Sequence, residues 1–230
     1  MKIDCILFAA VCASAHGAVI QTVTTSAAMN GIAVSNSDLL QQAGVVTTTV
    51  GYSAFATFGQ PDPVLRDGSA GGNTTGTGDW PNLVMEVSAQ SPQFTITFDL
   101  DLTGAPLGYD LTNIDSFSGW SDNRASHLHN IYYSVVGSAA YTQVLSGLGG
   151  AFGDSFGSAQ SSGGLKVGVT DSTGVIASGV DSIRFEMFPG AAGGHVYREI
   201  DVIGIATVPE PSAAVLGGLG MLALLRRRRS

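Results

Sequence analysis

Between residues 19 and 206 the chain alternates apolar and polar positions with the period of a β-strand. Over residues 93–100, Phe94, Ile96, Phe98 and Leu100 fall on one side, and Gln93, Thr95, Thr97 and Asp99 on the other, as in a strand with one buried face. Strand-like runs recur over 45–58, 83–87, 109–117, 130–136, 141–145, 165–170, 182–188 and 197–205, giving about nine short strands. Stretches rich in Gly, Ser, Asn and Asp separate them, among them 67–73 and 147–164, and these are turn and loop formers. One short helix is expected over 37–42, with Ser37 as its N-cap. No amphipathic helix exceeds three turns, and no repeat or linker divides the stretch. The pattern predicts an all-β fold, an antiparallel β-sandwich or jelly roll forming one domain over 19–206.

The two ends follow different rules. Residues 1–18 place Lys2 before an apolar run and end in small residues, the layout of a secretory signal peptide. Ala13-Ser14-Ala15 fits the cleavage pattern, and a cut after Ala18 is the alternative. Over 207–230, Pro209-Glu210-Pro211 precedes an apolar stretch, 212–225, that ends in Arg226, Arg227, Arg228 and Arg229. The prolines favour an exposed extended peptide, and the arginines hold their end on the cytoplasmic side. As a helix the apolar stretch is about 21 Å long, short of the ~30 Å hydrocarbon core, which suits a temporary anchor in the inner membrane.

This order of parts resembles the PEP-CTERM sorting signal of Gram-negative bacteria, also catalogued as an ice-binding-protein C-terminal motif, a label that implies no ice binding. The resemblance implies recognition of Pro209, Glu210 and Pro211, with the Arg-rich end, by a membrane protease of the exosortase type. An exported protein follows, anchored first in the inner membrane and then delivered to the cell surface or the extracellular space.

Composition sharpens this once it is divided by position. The 230 residues carry a formal charge of -8, with 10 Lys+Arg, 18 Asp+Glu and 2 Cys. Both cysteines, Cys5 and Cys12, lie in the leader, so the body has none and needs no oxidative folding after export. The leader nets zero and the tail +3, which leaves -11 on the body. An acidic body excludes nucleic acid as a partner, because phosphate binding needs clustered Lys and Arg.

Within the body, four passages resemble a galactose-binding-like (discoidin-type) domain, a jelly roll common among carbohydrate-binding modules. They are Leu65-Arg66-Asp67-Gly68, 114–124 with Trp120 and Arg124, Val180-Asp181-Ser182-Ile183-Arg184-Phe185, and Tyr197-Arg198-Glu199-Ile200-Asp201-Val202-Ile203-Gly204. The resemblance implies a structural calcium held by Asp67 of the Asp-Gly turn and Glu199 of the last strand, with Asp62 as a third ligand; the other reading is a turn aspartate and a solvated strand glutamate. Calcium takes several oxygen ligands, which carboxylates and turn carbonyls supply.

Sugar binding calls for a ring that stacks on a pyranose and side chains that bond its hydroxyls. Trp120, Arg124, His127 and His129 lie close together in sequence at a strand end, with Trp80 in another loop. They are the candidate ligand residues, the alternative being a Trp120 that caps the core and an Arg124 that pairs with an acid. Catalysis finds no foothold. Glu199-Ile200-Asp201-Val202 resembles the start of a retaining glucan-hydrolase signature, but the second glutamate is missing, with Ile203, Gly204 and Ile205 following, and such chemistry needs two carboxyl groups. The sequence therefore reads as a non-enzymatic envelope or matrix protein that binds polysaccharide, with a secreted carbohydrate hydrolase or a ligand-free structural coat component as the alternatives.

Overall fold

A computed structural model describes residues 17–26, 31–53, 58–71, 80–85, 94–120, 129–148, 163–188 and 196–208. Among these, ten strands form: β1 (Val19–Ser26), β2 (Val46–Val50), β3 (Val84–Met85), β4 (Phe94–Asp99), β5 (Tyr109–Trp120), β6 (His129–Val135), β7 (Thr142–Leu148), β8 (Gly163–Asp171), β9 (Ala177–Met187) and β10 (Val196–Ala206). Every pairing is antiparallel. One layer has the order β1-β8-β5-β10-β3 and the other β2-β4-β9-β6-β7. They join at a corner, where Tyr109 and Leu111 of β5 pair with Val180 and Ala177 of β9. The fold is an all-β antiparallel sandwich.

Alternation puts one face of each layer inside. Phe94, Ile96 and Phe98 of β4 are buried while Thr95 and Thr97 are not, as the sequence pattern predicts. They pack with Ile183 and Phe185 of β9 and Ile131 of β6 against Ile114, Val167, Val169, Ile200 and Val202 of the opposite layer. Burial of large apolar side chains contributes roughly 1.5–3 kcal/mol each, so this contact fixes which faces meet.

β10 is buried on both faces. Residues 196–202 are all inaccessible, because the outward side of its layer lies beneath the segments 31–42 and 61–71. Phe117 packs there on Ile32 and Ala70, Leu65 accepts the Ile200 N–H, and the 39–41 turn crosses β10.

Several local expectations are corrected. The helix expected over 37–42 is a single 3₁₀ turn, Leu39–Gln41, capped by Asp38 rather than Ser37, with the Asp38 carboxylate accepting the Leu40 N–H. Two buried leucines seat that turn, too few to carry a helix onward. β1 was absent from the predicted strands: it is an edge strand whose side chains are mostly exposed, so it has no deep alternation to read. β2 stops at Val50 because Gly51 takes φ 83. A short turn over Pro61–Val64, in which Asp62 is non-helical, leads into the segment that carries Asp67. No helix among the described residues is long and apolar enough to cross a membrane; the expected signal peptide core and the 212–225 helix lie outside them.

The corner depends on glycine. Gly108 has φ +82, and a Cβ there would stand 2.5 Å from the Gly179 carbonyl carbon. Gly108→Ala is expected to destabilise the fold by more than ~1 kcal/mol through strain and clash together, read as a lower urea midpoint; an unchanged midpoint would show that the corner tolerates a side chain.

Candidate functional site

Two features are assembled from distant parts of the chain. The first is a clasp between the 67–71 turn and the last strand. Asp67 begins an Asx turn, accepting the Ser69 N–H at 2.9 Å, and Gly68 supplies φ 78. The turn directs the N–H groups of Gly68 and Ser69 onto Oε2 of Glu199, each at 3.1 Å. The Asp67 carboxyl lies close enough to Glu199 for its charge to act on that group. Burial pushes Glu199 up to about 10, with the charges of Asp201 and Asp67 adding to the effect. Its second oxygen, Oε1, is buried and has no hydrogen-bond partner among the described residues. Asp62 stands apart from this pair: it is ion-paired with Arg66 at 2.5 Å and accepts the Thr47 hydroxyl. Among the described residues no group of three His, Cys, Asp or Glu side chains is placed to hold a metal.

Asp201 and Asp38 lie beside the clasp. Asp201 accepts the Ser35 N–H at 2.7 Å, and Asp38 caps the 39–41 turn. Burial raises both, Asp201 to about 7, where the neighbouring charges of Asp38 and Asp115 add to the rise and Lys166 offsets part of it. Arg198 completes this layer from full burial, donating to the carbonyls of Gly119 at 3.0 Å and Ala70 at 2.8 Å. Asp38, Asp201 and Arg198 were not among the sequence candidates. Asp201 pairs with Asp115 on the outward face of β5, a bulge between Tyr197 and Glu199 interrupts the alternation at Arg198, and Asp38 lies in a turn, so no strand period marks the three as buried.

The second feature is the end of the sandwich where β5 finishes. Register places the ends of β1, β2, β5, β7 and β9 and the starts of β4, β6, β8 and β10 there, through pairs such as Ser26 with Gly164, Trp120 with Gly163, His129 with Met187, and Phe94 with Met187. Trp120 is half-buried at this end. Its ring lies 5.8 Å from that of Phe58, in a cluster with Leu83 and Val196. A ring backed in this way is held for contact at low entropic cost.

The other candidates divide. His129 is wholly buried, 5.8 Å from the Phe185 ring and 6.3 Å from that of Tyr197, with Nε2 3.4 Å from the Ser116 hydroxyl. It is thus a core residue rather than the ligand-facing one expected: it shares the inward face of β6 with Ile131, two residues on. Arg124 and His127 lie outside the described residues, as do Pro209, Glu210, Pro211 and Arg226 to Arg229. Of Trp80 only the backbone, in the Trp80–Asn82 turn, is described.

No protein-family model matches this chain, and no curated protein matches it. Similar solved structures include a CBM32 module from Clostridium perfringens in complex with GalNAc-beta-1,3-galactose, 15% identical, covering 73% of this chain and 99% of that one with a TM-score of 0.43. A second is CBM32-1 from a family 31 glycoside hydrolase of the same organism, at 13% identity, 68% and 93% coverage and a TM-score of 0.43. A third is a pectin-binding carbohydrate-binding module, at 13% identity, 71% and 93% coverage and a TM-score of 0.37. The functional reading rests on the residues of this chain.

Proposed function

We propose that this chain is an exported bacterial envelope protein, sorted through its C-terminal signal by an exosortase-type protease. Its body is a galactose-binding-like module that binds polysaccharide without cleaving it. The observation that carries this reading is the Asp67–Glu199 clasp. The turn that carries Asp67 and the Glu199 carboxyl, far apart in the chain and paired by the galactose-binding-like resemblance, are joined by the Gly68 and Ser69 N–H groups. Trp120, backed by Phe58 at the end where the strands converge, supplies the aromatic contact for a sugar.

The clasp also supports a structural calcium. Oε1 of Glu199, buried and without a hydrogen-bond partner among the described residues, is an oxygen that a hard cation would satisfy. Asp67 and Glu199 would hold the ion, with turn carbonyls or water completing the shell, and the ion would tie the 67–71 turn to β10. Millimolar calcium is expected to raise the melting temperature by several degrees, and Asp67→Ala to abolish the rise. No shift in the unsubstituted protein would remove calcium from the account.

Release assays run on the sugars that the protein binds test the absence of catalysis: binding without released product is expected, and turnover would overturn it. Sorting is tested in the native host, where deleting the exosortase gene is expected to leave the tail uncleaved; unchanged processing would refute this part.

A further inference from the structure

We propose that the outward face of the layer β2-β4-β9-β6-β7 is a second glycan-binding surface, built for a neutral, hydroxyl-rich polysaccharide, with Arg184 and Glu186 receiving its hydroxyls. The inference rests on the polysaccharide-binding reading but not on its Trp120 site. Four Lys or Arg residues are described, and three are committed: Arg66 to Asp62, Lys166 to Asp115, and Arg198 to backbone carbonyls. Arg184 differs. Its guanidinium carbon lies 4.8 Å from the centre of the Tyr132 ring and 4.1 Å from that of Tyr141, so two aromatic rings hold it in place. The nearest carboxylate oxygen, Oε1 of Glu186, is 3.9 Å away, beyond hydrogen-bond reach. A stacked guanidinium keeps its donor fork fixed, and here that fork is only partly buried.

Neighbouring side chains are fixed as well. The Tyr132 hydroxyl donates to Oε2 of Glu186 at 2.8 Å, with the Asn130 amide at 3.4 Å, which turns Oε1 toward Arg184. The Tyr141 hydroxyl is bonded to Ser182 at 2.9 Å. The result is an oriented donor beside an oriented acceptor, and a sugar hydroxyl both accepts and donates. The register continues the polar row: Thr97 of β4 pairs with Arg184, which pairs with Tyr132 of β6, which pairs with Gln143 of β7. Four strands span about 14 Å, room for a short stretch of glycan. Charge selects the class of ligand. The Arg184–Glu186 pair is neutral, and a body at -11 repels a polyanion at low salt.

The test is affinity electrophoresis of the full chain, in a detergent without sugar headgroups, through gels containing neutral polysaccharides (β-glucan, galactan, mannan, arabinoxylan) or polygalacturonate. Retardation by a neutral polymer and not by polygalacturonate is expected. Arg184→Gln and Glu186→Gln should each weaken it about tenfold to a hundredfold, the scale of a hydrogen bond to a charged group, with an unchanged melting temperature. Glu186→Gln keeps an acceptor for Tyr132 and serves if Arg184→Gln melts early. Retardation by a neutral polymer that both variants retain and Trp120→Ala loses overturns this face and leaves the Trp120 site standing. Loss in the two face variants alone supports the face and removes Trp120. Preference for polygalacturonate overturns the inference, and no retardation by any polymer overturns both sites.

Discussion

In the presence of a chelator, stability is expected to fall as the pH rises from about 4 toward 8. Most soluble proteins behave otherwise over this range, because their carboxylates gain by ionising in the folded state. Here burial raises Glu199 to about 10 and Asp201 to about 7. Below the ordinary carboxylate value both states hold these protons, and the two groups cost the fold nothing. Above it the unfolded chain releases them while the folded chain keeps them, so stability declines until the folded-state values are passed: near pH 7 for Asp201, and beyond pH 8 for Glu199. Each unit of upward shift is worth about 1.4 kcal/mol at full burial, and less where water screens the group, so the loss should be readable in the midpoint. Urea midpoints at pH 5 and pH 8 measure the effect, and Glu199→Gln is expected to flatten it. A midpoint that climbs toward pH 8 in chelator would mean that these acids ionise freely in the folded protein.

Arg198→Met is expected to produce the largest loss of any substitution outside the apolar core. Arg198 is fully buried and donates to the Gly119 and Ala70 carbonyls. Removing it leaves two buried carbonyls without that donor, at about 1–3 kcal/mol each, a large share of the ~5–15 kcal/mol typical of a domain. The loss should have a functional signature, because Gly119 adjoins Trp120 and Ala70 closes the turn that meets Glu199. Arg198→Met should therefore weaken glycan binding and calcium stabilisation together. A variant that melts like the parent, or loses stability while binding glycan with full affinity, would show that Arg198 does not hold the site.

Much of the fold was legible because its strands are half-buried: β4 shows Phe94, Ile96 and Phe98 inside and threonines outside, and its register follows from that alternation. β1 escaped notice because an edge strand with exposed side chains carries no such contrast. The site was legible only in part. Asp67 could be named from its Asp-Gly turn and Glu199 from the last-strand passage. Asp38, Asp201 and Arg198 are polar residues on outward strand or turn positions, which ordinarily means solvent, and their burial depends on where 31–42 and 61–71 cross β10. His129 shows the converse. Its place beside Trp120 and Arg124 in sequence suggested a ligand residue, while its position two residues before Ile131 on β6 puts the ring on the core face. The Tyr132–Arg184–Tyr141 stack joins three strand or loop segments, so no local motif marks it.

On the proposed function, the body binds polysaccharide through the end of the sandwich carrying Trp120. A binding isotherm of the full chain, comparing the unsubstituted protein with Trp120→Ala on a glycan that it retains, tests this most directly. Truncating a well-packed aromatic anchor typically costs about 2 kcal/mol or more, so affinity should fall roughly thirtyfold when measured at a temperature where the variant is fully folded. An isotherm that Trp120→Ala leaves unchanged would contradict the account.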